Sequence, residues 1–257
     1  MSFTFGSLFT GFGGLDLGLE RAGMKCKWQA EWNETAGEIL LQNFTSIKRY
    51  KDVRDINKSK LQWVDLICGG FPCQDVSLAN TSGKGVNGGA RSGLWSEMFD
   101  AVRILRPRYA LIENVANLTR KGLERVLCDL ASIGFDAQWQ TLSAADFGYP
   151  HQRKRLFILA YPSGKRRLLS EVFDGKYYPK FSQKKTERFV DANPSTVHIE
   201  TLGNTYFTIP ERIRVDDGLS EGLDEIIKGI GNAVIPEIGE WVGKQIIRFD
   251  GEINEQN

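Results

Sequence analysis

Short apolar runs alternate with amphipathic stretches through the first 160 positions. "FTFGSLF" (3–9) predicts a strand and "GGLDLGLERAG" (13–23) a helix, with Leu15, Leu19 and Ala22 on one face and Gly23 as its stop. "KCKWQAEW" (25–32) predicts a second strand, and "NETAGEILLQNF" (33–44) a helix capped by Asn33. "WVDLICGG" (63–70) is a buried strand. "SGLWSEMFDAVRILRP" (92–107) is a helix closed by Pro107, and "YALIENV" (109–115) a strand. "KGLERVLCDLASIG" (121–134) reads as a helix and "RLFILAYP" (155–162) as a further strand. This rhythm predicts an α/β fold with a doubly wound, mostly parallel sheet. From Ser163 to about Asn204 the rhythm stops. Helical periodicity returns in "LDEIIKGIGNAVIPEIGEWVGKQIIRF" (223–249). The expected division is a catalytic and cofactor-binding unit over 1–161, an insert over 162–205, a returning segment over 206–248 and a frayed tail over 249–257.

At 257 residues and 41% hydrophobic content, the chain can bury a core without staples. It contains no apolar run of about 18 residues, and "MSFTFGSLFTGFGGLD" has neither a basic start nor a signal-peptide cleavage pattern. Four cysteines do not make a disulfide framework. A cytoplasmic protein without membrane or metal partners is expected. The net charge of +1 conceals an uneven distribution. Residues 151–188 carry 11 Lys/Arg against 3 Asp/Glu, and 211–257 carry 5 against 11. A basic segment attracts polyanions whatever the total charge, though on charge alone a solvated lysine-rich loop explains it as well.

Four stretches carry chemistry. Gly11, Gly13 and Gly14 lie between a strand and a helix, where backbone can approach a ligand at the carboxyl edge of a sheet. Gly18 comes too late for the strict dinucleotide fingerprint, and a tight structural turn is the alternative. Glu31 closes the next strand, where an acid can grip both ribose hydroxyls. In "GGFPCQDVS", Pro72 stiffens a turn that delivers Cys73 to the same edge, where a thiolate can act as a nucleophile. Cys68 reads as core, and Cys26 and Cys128 as structural. Glu113 closes "LIENV", and a buried carboxyl there can protonate a heterocycle; a helix cap or surface acid is the plainer reading. In "HQRKR", Arg153 and Arg155 fall on one side of a strand start, suited to phosphate or a base carbonyl.

In this order and spacing, "LFTGFGGLDLGLERAG", "GGFPCQDVS", "LIENV", "HQRKR" and "GNAVIP" resemble the DNA (cytosine-5)-methyltransferases, and the C-terminal stretch resembles their short bacterial and phage members. The resemblance covers residues 3 to about 161 and about 206 to 247. It implies a fold of the S-adenosylmethionine-dependent methyltransferase type, S-adenosyl-L-methionine as cofactor, and duplex DNA as substrate. It further implies a monomer in the cytoplasm of a bacterial or phage-infected cell. Cys73 would attack C6 of a flipped cytosine. Glu113 would bond N3 and the exocyclic amine, Arg155 the O2, and Arg153 backbone and neighbouring groups. Phe9 and Trp32 would pack on adenine, although each singly also reads as a core aromatic. Gly11 and Gly13 would hold the methionine moiety and Glu31 the ribose. Asp55 and Ile56 match the adenine-edge position, and Pro72, Leu94, Asn232 and Val234 line the same pocket.

The glycine-rich segment after the nucleophile would close over DNA, with Gln74, Ser77, Lys84 and Arg91 as contacts. In the basic insert, Lys184 and Lys185 would meet phosphate and Arg166 or Arg167 a guanine edge. Two departures from the family stand out. His151 replaces the usual glutamine, and the insert is much shorter than the usual target-recognition region. The rival readings are a tRNA cytosine-5 methyltransferase of the same fold, a non-catalytic DNA-binding relative, and a nicotinamide dehydrogenase. The last gives no reason for Pro-Cys-Gln or for the arginine pair.

Overall fold

The computed structural model describes residues 2–72, 93–120, 122–149, 153–164, 173, 197–201, 205–209 and 233–255. The main sheet is built from β1 (Thr4–Leu8), β2 (Lys25–Ala30), β3 (Lys48–Tyr50), β4 (Leu66–Gly70), β5 (Tyr109–Val115), β6 (Phe135–Ser143) and β7 (Lys154–Pro162). Their order across the sheet is β3-β2-β1-β4-β5-β7-β6. The first five run parallel, while β7 is antiparallel to both β5 and β6. The helices are α1 (Gly14–Arg21), α2 (Glu34–Asn43), α3 (Leu94–Leu105), α4 (Leu123–Ser132) and α5 (Pro236–Glu255). A separate antiparallel pair, β8 (Val197–Thr201) and β9 (Thr205–Ile209), falls across the expected boundary of the insert.

The central strands are apolar on both faces, as a doubly covered sheet requires. Leu66, Cys68, Tyr109, Leu111, Phe157 and Leu159 point into one core, against Leu15, Leu19 and α5. Ile67, Ala110, Ile112, Leu156 and Ile158 point into the other, against Met98, Phe99, Val126 and Leu130. Gly6 leaves room for the buried Trp28: a Cβ there would lie 2.1 Å from the indole, at a register shift between β1 and β2. The indole N–H donates to the Gln62 carbonyl at 2.9 Å.

Local signals read from the chain set several boundaries. The Asn33 side chain accepts from Ala36 N at 2.9 Å and starts α2. Gly23, at φ +96°, ends α1. The chain leaves α3 through Arg106 in the left-handed region, just before Pro107.

Besides β8 and β9, two strands of the main sheet have no counterpart in the expected pattern. β3 is three residues long, and β6, "FDAQWQTLS", is a polar edge strand with Trp139 half exposed. The expected tail also differs. Phe249 and Asp250 are buried within α5, and Asp250 pairs with Arg108 and accepts from the Tyr109 hydroxyl. Cys128, expected to be structural, is exposed on α4, whereas Cys26 and Cys68 are buried.

Candidate active site

The strand order reverses between β1 and β4, and a crevice opens at the carboxyl ends of strands on either side of such a point. The turn from β1 into α1 passes through Phe9 (φ +54°), Gly11 (φ +57°) and Gly13 (φ +80°). The backbone, not lack of room, demands glycine at 11, since a Cβ there meets nothing within 4 Å. Phe9 holds the same left-handed conformation at the cost of strain. Glu31 follows β2 and fastens this turn: one carboxylate oxygen accepts from Gly11 N at 2.7 Å, the other from Asn33 N at 2.8 Å.

Two adjoining cavities share Phe9, Glu31 and Gly70 in their walls. The first, of about 430 Å³, is completed by Thr10, Gly14, Asp16, Glu113 and Val234 among others. The second, of about 730 Å³, is bounded by Trp32, Val53, Pro72 and Leu94. Trp32 is 69% exposed, so its ring is an open platform rather than core. Asp55 is exposed and Ile56 is buried in the core; Asp52, Val53 and Arg54 form that wall instead. Lys58 pins this segment, donating to the Val53 carbonyl at 2.5 Å and pairing with Glu97 of α3.

Glu113 reaches the crevice from β5, opposite Gly70 of β4. A Cβ on residue 70 would fall 2.3 Å from Glu113 Oε2, so glycine is what admits the carboxyl. Arg155 Nε lies 2.9 Å from Glu113 Oε1. Burial nevertheless outweighs the guanidinium and raises the Glu113 pKa to about 7, so both protonation states exist near neutrality. Arg153 stands just before β7, with Nε and Nη2 buried and no hydrogen-bond partner. Next door, Asn114 Nδ2 donates to the Phe71 carbonyl at 2.9 Å, and the Phe71 ring packs on Trp95 at 5.2 Å between centroids. Those contacts hold Phe71 in place just after β4. The structure therefore brings together Phe9, Gly11, Glu31, Trp32, Pro72, Leu94, Glu113 and Val234. Cys73, Gln74, Ser77, Lys84, Arg91, His151, Arg166, Arg167, Lys184, Lys185 and Asn232 lie outside the described residues.

Asn114 and Asp16 escaped the sequence reading. Asp16 is buried in the first turn of α1, where its carboxylate accepts from Ser7 Oγ at 2.7 Å and Gln29 Nε2 at 2.8 Å. Burial raises its pKa to about 7, against the opposing pull of both hydrogen bonds. Its signal was present: an acid between Leu15 and Leu19 falls on the apolar face of an amphipathic helix. Among the described residues, no group of side chains could hold a metal ion. No described helix is long and apolar enough to cross a membrane.

Comparison with known proteins gives the fold and the family. A solved Entamoeba histolytica methyltransferase, EhMeth, shares the fold: TM-score 0.55 over 97% of this chain and 98% of that one, at 16% identity. A putative DNA modification methyltransferase encoded within an E. coli prophage superposes with TM-score 0.51 at 26% identity, covering 63% of this chain and 47% of that one. The type II methyltransferase M2.BsuMI of Bacillus subtilis (strain 168) is 32% identical over 210 residues, 79% of this chain and 50% of its own length. M.HhaI of Haemophilus parahaemolyticus is 30% identical over 164 residues, 61% of this chain and 48% of its own length. The chain thus spans about half the length of these curated relatives. Residues 3–214 match the family described as C-5 cytosine-specific DNA methylase, and with that match over most of the chain the protein belongs to this family.

Proposed function

We propose that the protein transfers a methyl group from S-adenosyl-L-methionine to C5 of cytosine in duplex DNA. The observation that carries this reading is the largely buried Glu113–Arg155 pair, whose Glu113 faces Gly70 in the wall of the cavity that begins at the glycine turn. The donor set suits the cofactor. Phe9, Trp32, Pro72 and Leu94 offer apolar faces for a purine, and Glu31 offers a carboxylate for a ribose diol where the two cavities join. Backbone at Gly11 and Gly14 leaves the first cavity open for an amino-acid chain. Bound there, S-adenosyl-L-methionine supplies an electrophilic methyl group on a sulfonium.

The residues of the chain supply the activated carbon. A duplex hides C5 and C6, so the base must leave the stack before any side chain reaches it. Glu113 in its protonated form donates to N3, and its other oxygen accepts from the exocyclic amine. Arg155 turns from Glu113 toward the base carbonyl at O2, and the two unpaired donors of Arg153 hold a neighbouring group. Protonation at N3 makes C6 electrophilic. The thiolate of Cys73 adds there, and the electron pair that shifts to C5 makes that carbon the nucleophile. Once C5 carries the methyl group, loss of its remaining proton expels the thiolate, N3 returns its proton to Glu113, and the ring is restored. Residues 162–205 would contribute target recognition, with Arg166, Arg167, Lys184 and Lys185 as contacts.

Incubation with S-adenosyl-L-methionine labelled in the methyl group should label duplex DNA and not tRNA. Label in tRNA alone would turn the substrate assignment to RNA, and label in neither would end the reading. Duplex DNA bearing 5-fluorocytosine should trap the protein covalently, because fluorine cannot leave as a proton. Cys73→Ser should abolish trapping, and full trapping by that variant would remove Cys73 from the role of nucleophile.

A further inference from the structure

We infer that Asp16 is a proton-linked counter-charge for the α-ammonium group of the cofactor: its carboxyl carries a proton in the free protein and releases it to solvent when that ammonium group enters the first cavity. The inference rests on the cofactor reading above and adds a residue and a linkage to it.

The argument is geometric. Asp16 follows directly on the glycine turn and stands in the wall of the same cavity as Thr10, Gly11 and Gly14. Asp16 is 1% exposed, and its two partners, Ser7 Oγ and Gln29 Nε2, are neutral. The Thr10 hydroxyl donates to Ser7 Oγ at 3.1 Å, so the chain of hydrogen bonds runs from the turn to the acid. No Lys or Arg among the described residues bonds Asp16.

The titratable groups around it, among the described residues, are all acidic. Glu20 faces it from its own helix, and the thiols of Cys26 on β2 and Cys68 on β4 feel its charge. Glu31 and Glu113 stand in the same cavity wall. A buried carboxylate with no cation is unfavourable, and burial accordingly holds this acid up toward neutrality. Gln29 Oε1 is buried without a partner; with its amide turned over, it would accept the proton of a neutral Asp16. An ammonium group entering the cavity would reverse the balance and favour the carboxylate.

Calorimetric titration at pH 6.5, in buffers of differing ionisation enthalpy, reads the proton directly. It is run on Glu113→Gln protein, so that Glu113 contributes nothing. Binding of S-adenosyl-L-methionine should release roughly three-quarters of a proton, the protonated fraction of a group titrating near 7. S-adenosyl-L-homocysteine keeps the ammonium and should release as much. 5′-Methylthioadenosine lacks it and should release none. Below pH 7, affinity for the first two should rise by up to about tenfold per pH unit, then level off.

Asp16→Asn should flatten that dependence and abolish the release. In the unsubstituted protein, ¹³C-carboxyl NMR should show the Asp16 titration displaced downward by S-adenosyl-L-homocysteine, a reading that does not depend on the variant folding. Equal release by 5′-methylthioadenosine, an undiminished release in Asp16→Asn, or an unmoved Asp16 signal would each overturn the inference. Failure of all three nucleosides to bind would instead overturn the cofactor reading beneath it.

Discussion

Gly69 and Gly70 are neighbours in sequence and differ in what they protect. A Cβ on Gly69 would strike the Leu8 carbonyl oxygen at 2.1 Å, which is backbone of the adjacent strand. A Cβ on Gly70 would strike only the end of the Glu113 side chain, which can turn away. Gly69→Ala should therefore lower stability, by about 1–3 kcal/mol as overpacking does. Gly70→Ala should leave the urea midpoint nearly unchanged and, on the function proposed above, cut methyl transfer by roughly 10²-fold, the scale of a lost general acid. Equal losses of stability in the two variants would contradict this division.

Asp16 makes a second residue-scale case, and its sign is definite. Its folded pKa of about 7 stands above the ordinary value of 3.8 for such a carboxyl, so its contribution to stability is full below about pH 4 and declines as pH rises, to be lost above about 7. Asp16→Asn keeps an acceptor for Ser7 and offers an N–H to Gln29 Oε1, which otherwise has no partner. In thermal unfolding the variant should come close to the parent near pH 4, and its advantage should grow up to about pH 7 and hold at pH 8. A deficit that grows with pH would be the contrary result.

Among the elements, α5 shows how far glycine can govern packing. It crosses α1 with backbone against backbone. A Cβ on Gly18 would sit 2.2 Å from the Pro236 carbonyl oxygen, one on Gly14 2.1 Å from that of Val234, and one on Gly243 2.7 Å from Ala22 Cβ. The apolar stripe Ile238, Trp241, Val242, Ile246 and Phe249 then seats α5 on the sheet, and Arg108 ties its end by pairing with Asp250 and Asp65. Because the same approach carries Val234 into the first cavity, Gly18→Val should lower stability by about 1–3 kcal/mol and weaken cofactor binding together. Denaturant titration and calorimetry on one preparation check both, and loss of stability with unchanged affinity would separate α5 from the site. The stripe was legible in the sequence as helical periodicity. The close crossing was not, because a glycine reads alike in a turn and in a contact between helices.

At the scale of the molecule, charge is segregated along the chain, with the basic run at 151–188 and the acidic one at 211–257. Lysines that meet phosphate give affinity without sequence information, whereas arginines at base edges discriminate. Replacing Lys184 and Lys185 by alanine should weaken binding alike on all duplexes and reduce the salt slope by about 1 per lost phosphate contact. Replacing Arg166 or Arg167 should change which cytosines are methylated, as read by bisulfite sequencing. Unaltered affinity, slope and site choice in all these variants would leave the insert a solvated loop.

The sequence by itself determined the alternation of strand and helix, the caps at Asn33 and Gly23, and the family. It also marked Gly11, Glu31, Glu113 and Arg155 as chemistry-bearing. Each of these rests on local signals: a period, a turn residue, or a short motif at a strand end. Only the tertiary structure decided that β7 runs antiparallel between β5 and β6, because strand direction depends on where the chain returns and not on its pattern. It alone placed Gly70 against Glu113, Asn114 against the Phe71 carbonyl, and Asp16 between Ser7 and Gln29. Those partners come from different strands or helices, and the sheet that brings them together also removes the water that would hold their pKa values in the ordinary range.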